Sequence, residues 1–380
     1  MDNIALEYSS FKIEEKLLIL ANNSLGLYRF RADLIRTLGQ TYTVYASTPR
    51  NDHFDDLASI GCHVIETGID RRGLNPIRDL RLLRTYRRLI REIRPDLVIT
   101  YTIKCNVYGG YAARRAGVPY AVNVTGLGSA FQHPGLLRRV ATCLCRIGLK
   151  RAGVVFFENS DNRDVYCRLG IVRQDVCHVL HGAGVNLEQF PLTPYPTDGT
   201  VTRFLFIGRV MREKGVDELF AAMRSLRAAG QSCVLHVVGD TEEDYRARLH
   251  EGEEAGWLVY HGYQTDVHPF IAEAHCLVLP SYHEGMANVN LESASMGRPL
   301  ITSRIPGCME AVREGETGYL CAPQDTDSLL DAMQRFLRLS PAEREAMGRA
   351  GRAHMEAEFD KRQVVAETAA CLQACVSASR

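Results

Sequence analysis

Four charged side chains stand in a pattern that suits a phosphorylated sugar. Glu284 and Glu292 are separated by seven residues inside the stretch PSYHEGMANVNLESASMGRP. Between them lie Gly285, Met286, Ala287 and Asn288, whose backbone N–H groups at the start of a helix can point at an anion. Upstream, RFLFIGRVMREKG places Arg209 and Lys214 five residues apart, flanked by Gly208 and Gly215. Two cations on one strand-to-helix loop can reach two phosphates of one diphosphate, Arg as a planar fork and Lys as a point charge. The two glycines let the backbone come close to a ligand. Carboxylates for hydroxyls, next to amides and cations for phosphate, predict a ligand that is part sugar and part phosphate.

These groups need elements that hold them. The apolar run HCLVLP ends at Pro280 and reads as a buried strand. A turn of small and polar residues follows, then a helical pattern from about Ala287 to Met296, stopped by Gly297 and Pro299. Glu284 is therefore predicted in the loop at a strand's carboxyl end, and Glu292 on the first turns of the next helix. RFLFIG likewise reads as a strand, with VDELFAAMRSL as the helix behind it. In an open parallel sheet, ligands bind in the crevice outside the carboxyl ends of the strands.

The same alternation runs through the chain. Strand-like runs lie at 16–22, 42–48, 62–66, 96–101, 119–124, 153–158 and 176–180, with helical patterns near 28–38, 77–93, 106–116, 135–150 and 160–169. RFLFIG, CVLHVVG, WLVYH, CLVLP, PLITS and TGYLC repeat the pattern in the second half. This predicts an α/β chain with doubly wound parallel sheets. PLTPYPTDGT at 191–200 has three prolines and no periodicity and reads as a linker. The expected organisation is a Rossmann-like domain over 1–190, the linker, a second such domain over 201–360, and a C-terminal helical segment over 361–380.

At 380 residues, two domains that each bury a core are expected. Net charge is zero, but residues 1–190 hold 26 Lys and Arg against 18 Asp and Glu, leaving 19 against 27 for the rest. A basic half and an acidic half argue against a nucleic-acid binder with one basic face, and suit a first half that meets an anionic surface or acceptor. No apolar run reaches membrane-span length, and the opening MDNIALEYSSFKIEE has no signal-peptide core. Twelve scattered cysteines, with no Cys-x-x-Cys pair and no Cys/His grouping, read as free thiols in a reducing cytoplasm.

With these elements in place, the chain resembles the retaining glycosyltransferases of family four, which have the GT-B fold. The matching residues are Gly208-Arg209 with Lys214-Gly215, the Glu284/Glu292 pair, and Pro306-Gly307 with Glu310 after PLITS. HGAGVNLEQF at 181–190 and VVFFENSDN at 154–162 match as well. The pattern TIK…NVTGLG looks most like the subgroup that builds capsular, O-antigen or lipid-linked oligosaccharides. The resemblance implies two Rossmann-like domains facing across a cleft, with the last helix, about 361–376, crossing back to the first. It implies a nucleoside-diphosphate-sugar donor, of the UDP-sugar type, and a lipid-linked glycan acceptor. No cofactor and no metal are expected, Arg209 and Lys214 offsetting the diphosphate charge.

In that scheme Arg209, Lys214 and Glu284 carry the chemistry. Glu284 contacts donor-sugar hydroxyls, Glu292 the ribose, and the amides from Gly285 to Asn288 the phosphate and sugar. Gly208, Gly239 and Tyr263 frame the nucleotide, and Gly26 brings backbone to the donor phosphates. Thr102, Lys104, Asn106 and Thr125 end the fourth and fifth strands and are the candidate acceptor residues. Members of the family often carry a His at the place of Thr125. The plain alternatives are a Glu284 that caps the following helix, a solvated Glu292, and a Lys104 that is a surface charge. Arg81, Arg84, Arg88 and Arg91 share one side of a helix, and Arg139, Arg146 and Lys150 one side of another. Such faces suit an anionic membrane surface and a peripheral protein on the inner face of the plasma membrane. A nucleotide-sugar epimerase on a similar fold and a non-catalytic membrane-associated partner are the competing readings.

Overall fold

The computed structural model describes residues 15–70, 75–131, 135–197 and 200–378. The opening segment read for a targeting core (1–14), residues 132–134 ahead of the second basic helix, and residues 198–199 of the expected linker lie outside the described residues.

Among the described residues, thirteen strands form two sheets. The first has seven: β1 Lys16–Leu20, β2 Thr43–Thr48, β3 His63–Glu66, β4 Leu97–Tyr101, β5 Tyr120–Val124, β6 Val154–Phe157 and β7 Cys177–Val179, ordered β3-β2-β1-β4-β5-β6-β7. The second has six: β8 Thr202–Ile207, β9 Cys233–Val238, β10 Leu258–Tyr260, β11 Cys276–Leu279, β12 Leu300–Ser303 and β13 Gly318–Cys321, ordered β10-β9-β8-β11-β12-β13. Pairing is parallel from β3 through β5 and throughout the second sheet. Every strand-like run of the sequence is a strand. The central ones are buried on both faces, which is why they read as unbroken apolar runs.

Helices connect the strands. They are α1 Ser24–Leu38, α2 Asp56–Ser59, α3 Pro76–Ile93, α4 Gly110–Ala116, α5 Leu136–Leu149, α6 Ser160–Arg168 and α7 Val216–Ala228. There follow α8 Arg246–Glu254, α9 His268–Glu273, α10 Asn288–Ser295, α11 Thr326–Leu337, α12 Pro341–Glu358 and α13 Lys361–Ser377. The helix expected over 106–116 is two pieces, a turn of π-helix at Cys105–Gly109 and then α4. The cause is a close crossing with α5. A Cβ on Gly148 would lie 2.5 Å from Val107 Cα, and one on Gly110 would lie 2.5 Å from the Gly148 carbonyl oxygen.

The strand orders place a reversal of winding between β1 and β4 and another between β8 and β11. There the loops leave in opposite directions and open a crevice. In the second sheet those loops are the Gly208–Gly215 turn and the segment from Pro280 to Asn288. Their position follows from topology alone.

The described residues divide into two units by their internal packing. One holds the chain up to Phe156, Asp164–His178 and Val365 onward; the other holds Phe157–Arg163 and Val179–Val364. In the first, Cys375 Sγ lies 4.0 Å from the Tyr120 carbonyl oxygen and Glu367 accepts from His178 at 2.8 Å. In the second, Phe204, Phe206, Leu219, Phe220, Met223 and Phe336 form a fully buried core.

One buried cation organises the lower half of the second unit. Arg298 is 1% exposed. Its guanidinium donates to the carbonyls of Ile271 (2.9 Å) and Ala272 (2.8 Å) in the last turn of α9, and to Met296 (3.1 Å) just past α10. It also donates to Pro194 O and Thr193 Oγ1, both at 2.8 Å, and stacks over Tyr195. Helix C-termini leave carbonyls without partners and carry partial negative charge, so two of them can solvate a cation that has no carboxylate partner among the described residues. Burial lowers its pKa to about 10, still far above neutrality. The chain at 193–195 is thereby fixed to the second unit. Arg298→Met removes a donor from several buried carbonyls, at about 1–3 kcal/mol each. It is expected to cost about 3 kcal/mol or more of stability, read from the urea midpoint. A variant within about 0.5 kcal/mol of the parent would refute this role.

Candidate functional site

The two loops at the β8/β11 reversal are joined backbone to backbone. Tyr282 N donates to Glu213 O at 2.9 Å. Gly215 sits in the left-handed region (φ 72°) as the N-cap of α7, and a Cβ there would lie 2.0 Å from the Pro280 carbonyl oxygen. Only glycine fits both the dihedral and the space. The preceding 3-10 turn, Arg212–Lys214, is therefore held against the end of β11, and Lys214 Nζ reaches Glu284 Oε1 at 2.5 Å. Ser281 Oγ, fully buried, donates to the same oxygen at 2.8 Å. Glu284 Oε2 has no partner among the described residues. The Lys214 and Glu284 side chains are 18% and 13% exposed, so the pair is shielded but reachable.

Arg209 does not join this pair. Its guanidinium is half exposed and meets Glu242 Oε2 at 2.8 Å. Arg212 N donates to Glu243 Oε2 at 2.9 Å. Glu242 and Glu243 lie on an irregular loop, because α8 begins only at Arg246 and not at the acidic stretch after Gly239. Gly208 and Gly239 close on one another: a Cβ on Gly239 would lie 2.0 Å from Gly208 O, and Gly239 N donates to Gly262 O at 2.8 Å. Tyr263, next in the chain, is 48% exposed at this end of the sheet.

The loop from Glu284 to α10 is fixed from two sides. A Cβ on Gly307 (φ 85°) would lie 2.5 Å from Gly285 O, and Gly307 O accepts from Ala287 N at 2.7 Å. Glu310 Oε2 in turn accepts from Gly307 N at 2.7 Å. Burial pushes the Glu310 carboxyl pKa up, against the pull of that amide. Asn159 donates through Nδ2 to Gly285 O at 2.7 Å, while its Oδ1 accepts from Asn162 N. This clasp was not expected. The only local signal was an Asn placed to cap a helix, and its second partner lies 126 residues away.

These contacts sort the expected amides. Ala287 is corrected: its N–H is spent on Gly307. The amides of Gly285, Met286 and Asn288 have no partner among the described residues, and no side chain caps α10. The plain alternative, Glu284 as a cap of α10, does not hold: its carboxylate is in the ion pair with Lys214. The Met286 and Ala287 side chains are buried in the core, so only their backbone borders the loop. Glu292 is half-buried in the second turn of α10, as its spacing predicts.

In the first unit the polar ends of β4 and β5 behave differently from a row of free acceptor contacts. Asn106 is 3% exposed; its Oδ1 accepts from Thr100 Oγ1 at 2.7 Å and its Nδ2 donates to Asn123 O at 2.8 Å. It ties the strand ends together. Lys104 is neither a surface charge nor a free cation: Nζ meets Asp79 Oδ1 at 2.9 Å, and Tyr108 donates to Oδ2 at 3.0 Å. Burial and the Asp79 charge push the Tyr108 phenol well up. Thr102 holds a left-handed φ of 73° at the end of β4, an uncommon state for a β-branched residue. Thr125 is half-buried in the loop after β5. Gly26 lies in the first turn of α1, and a Cβ there would meet only Asn23, at 3.7 Å. Among the described residues no group of three or more His, Cys, Asp or Glu is placed to hold a metal ion.

Residues 16–159 match the family described as glycosyl transferase 4-like, and residues 201–338 match glycosyl transferases group 1. The chain is 26% identical over 337 residues to the N,N'-diacetylbacillosaminyl-diphospho-undecaprenol alpha-1,3-N-acetylgalactosaminyltransferase of Campylobacter jejuni, covering 84% of this chain and 88% of that one. It is 26% identical over 318 residues to the UDP-Gal:alpha-D-GlcNAc-diphosphoundecaprenol alpha-1,3-galactosyltransferase of Escherichia coli, covering 76% and 77%. The solved structure of Anabaena HepE in complex with UDP and glucose superposes with a TM-score of 0.78 at 18% identity, over 95% of this chain and all of that one. That likeness shows the GT-B fold.

The pair at the centre of the site can be weighed directly. In a double-mutant cycle, Lys214→Met and Glu284→Gln are expected to be non-additive by about 1.5–3 kcal/mol, the size of a charge-assisted hydrogen bond. Urea denaturation of the four proteins measures it. Coupling indistinguishable from zero would mean the two groups do not pair in solution.

Proposed function

We propose that this chain, which belongs to the group 1 and 4-like glycosyltransferases, moves a hexosyl or N-acetylhexosaminyl group from a UDP-sugar to a hydroxyl of a polyprenyl-diphosphate-linked glycan, retaining the anomeric configuration. The observation that carries this is Lys214 and Glu284 on one another at the β8/β11 reversal, beside unpartnered amides. That arrangement offers a cation and N–H groups to a diphosphate and a carboxylate oxygen to a sugar hydroxyl within one short loop. The two relatives named above act, by their names, on undecaprenol-diphosphate-linked acceptors and form alpha-1,3 linkages. A UDP-sugar donor has an α-configured anomeric carbon, so an α product means retention.

The chemistry follows from charge. The donor diphosphate meets Lys214 and the amides of Gly285, Met286 and Asn288, and Arg209, held by an exposed contact to Glu242, swings onto the other phosphate. As the bond from C1 to the phosphate oxygen breaks, negative charge grows where these donors already point. The acceptor hydroxyl attacks C1 from the same face and its proton passes to the departing phosphate oxygen. Glu284 Oε2 takes a hydroxyl of the transferred sugar and Glu292 the ribose. Thr102 and Thr125 contact the acceptor, while Asn106 and Lys104 fix the strand ends that present them. Gly208, Gly239 and Tyr263 border the base. The protein works at the cytoplasmic face of a membrane; no helix among the described residues is long and apolar enough to cross one.

Three measurements test this. Glu284 borders atoms whose charge changes during reaction and Glu292 atoms whose charge does not, and only the first kind of contact affects turnover. Glu284→Gln is expected to lower kcat about ten- to a hundredfold, for roughly 1.5–3 kcal/mol. Glu292→Gln is expected mainly to raise the donor KM. Near-parental kinetics for both would remove the carboxylates from the site. Transfer should also persist in a chelator, with Lys214→Ala far slower; activity that vanishes with chelator and returns with Mn²⁺ would overturn the two-cation mechanism. Finally, Gly26→Ala replaces a helical glycine where space exists. It should hold or raise stability by up to about 1 kcal/mol while weakening donor use. Full activity would separate Gly26 from the phosphates.

A further inference from the structure

The helix α5 has two faces. Thr142, Cys145, Gly148 and Leu149 are buried, and Gly148 lies flat on the π-turn before α4. The opposite side exposes Leu136 (77%), Leu137 (49%), Val140 (40%) and Ile147 (42%). At 100° per residue, Leu136, Val140, Cys143 and Ile147 fall on one stripe, and Arg139, Arg146 and Lys150 on the strip beside it. An aliphatic stripe is rarely left in water without a purpose when it is contiguous. At 14 residues, about 21 Å, the helix is too short to span a bilayer.

The stripe runs into a pocket. Where α5 ends, an open cavity of about 730 Å³ is lined by Arg114, Arg146, Lys150, Arg151 and Arg173 among apolar Ile147 and Ile171. No Asp or Glu lines it, and of these five cations only Arg173, paired with Asp175, has a carboxylate partner among the described residues. One Arg114 nitrogen, Nη1, is buried without a hydrogen-bond partner among the described residues. Arg146 donates to the Leu169 carbonyl, which aims its guanidinium along the wall. Between Asp96 and Glu158 the sequence holds eight Lys and Arg and not one acidic residue. So the positive charge of Arg114, Arg146, Lys150 and Arg151 is uncompensated locally, though the chain as a whole is neutral.

An aliphatic stripe ending in an acid-free cationic pocket matches an amphiphile whose charged end is a phosphate. From this we infer that α5 lies in the interface of an anionic bilayer, with Leu136, Val140 and Ile147 among the acyl chains and a phospholipid headgroup phosphate held by Arg114, Lys150 and Arg151. The inference rests on the reading that the acceptor is lipid-linked, and gives it a surface. The pocket sits at the amino ends of the strands, since α5 runs back from the carboxyl end of β5 to the start of β6. It is therefore separate from the loops that follow the strands and from the donor chemistry. Cations near an anionic surface contribute about fivefold in partition each, and the aliphatic residues add the depth that charge alone does not give.

Vesicle co-sedimentation tests it, with phosphatidylcholine alone or mixed with phosphatidylglycerol, at near-physiological salt. All substituted residues are exposed, and unchanged melting curves confirm that the variants fold. The parent is expected to bind the anionic vesicles and not the neutral ones. Lys150→Gln with Arg151→Gln should lower partition roughly 25-fold. Arg84→Gln with Arg88→Gln on α3, an equal change of charge, should lower it by less than about fivefold. Val140→Gln with Ile147→Gln should lower it at least about tenfold. Equal losses from the α5 and α3 charge pairs would mean a general surface field and overturn the pocket. No loss from the apolar pair would overturn insertion of α5. Binding of inorganic phosphate by a protein that ignores both vesicles would assign the pocket to a soluble anion and overturn the inference. UDP binding measured on the same variants should not change, so failure here is distinguishable from failure of the glycosyltransferase reading.

Discussion

The loops that carry the candidate chemistry are held by backbone contacts too close for any side chain. Gly215 abuts the Pro280 carbonyl, Gly307 abuts Gly285, and Gly239 abuts Gly208. Two of these glycines also hold left-handed dihedrals near +72° and +85°. Each contact joins segments that follow different strands. The chain therefore fixes Lys214 and the Glu284 loop to one another before any ligand is considered. This is the stiffness that a site of positioned charges needs, because a charge contributes to catalysis only if it is already aimed.

Behind that layer, partial charges of the backbone do work usually given to side chains. Arg298 is solvated by the carboxyl ends of α9 and α10 and by the segment at 193–195. The other end of α10 is left open, without a capping side chain, where its amides border Glu284. One short helix thus has its negative end satisfied by a buried cation and its positive end kept for an anion. Filling the first restrains the second, since an eight-residue helix moves as a unit.

The sheets were legible in the sequence because their central strands are buried on both faces and most are bounded by glycine or proline, so every run stood out. The place of Glu284 after a strand and of Glu292 on the next helix followed from the same reading. What the sequence did not disclose depends on partners far along the chain. Nothing near Asn159 announces Gly285, 126 residues on. Ala287 looked like one amide in a row of four until Gly307 came beside it. Lys104 could not be read as neutralised, because Asp79 sits in a helix dominated by arginines on its outer face. Asp79, one of only two acids in α3 and the one in its first turn, was the available hint. The split of 105–116 into two helical pieces likewise arises from a glycine in α5 that only the crossing explains.

The pairing of Lys214 with Glu284 raises the question of whether the site obstructs its own ligand. Physical chemistry argues that it does not. An ammonium has three donors, and Glu284 takes one of them on Oε1, a bond it shares with Ser281. A phosphate oxygen can accept a second without displacing the first. The carboxylate meanwhile fixes a four-carbon side chain that would otherwise lose up to about 2 kcal/mol of rotamer freedom on binding. Glu284 is held in the same way, with Oε2 left outward. An exposed cation such as Arg209 has a weaker tie, because its contact with Glu242 is open to water and screened by salt. The two cations are therefore differently prepared: Lys214 is set in place before the diphosphate arrives, and Arg209 is recruited by it.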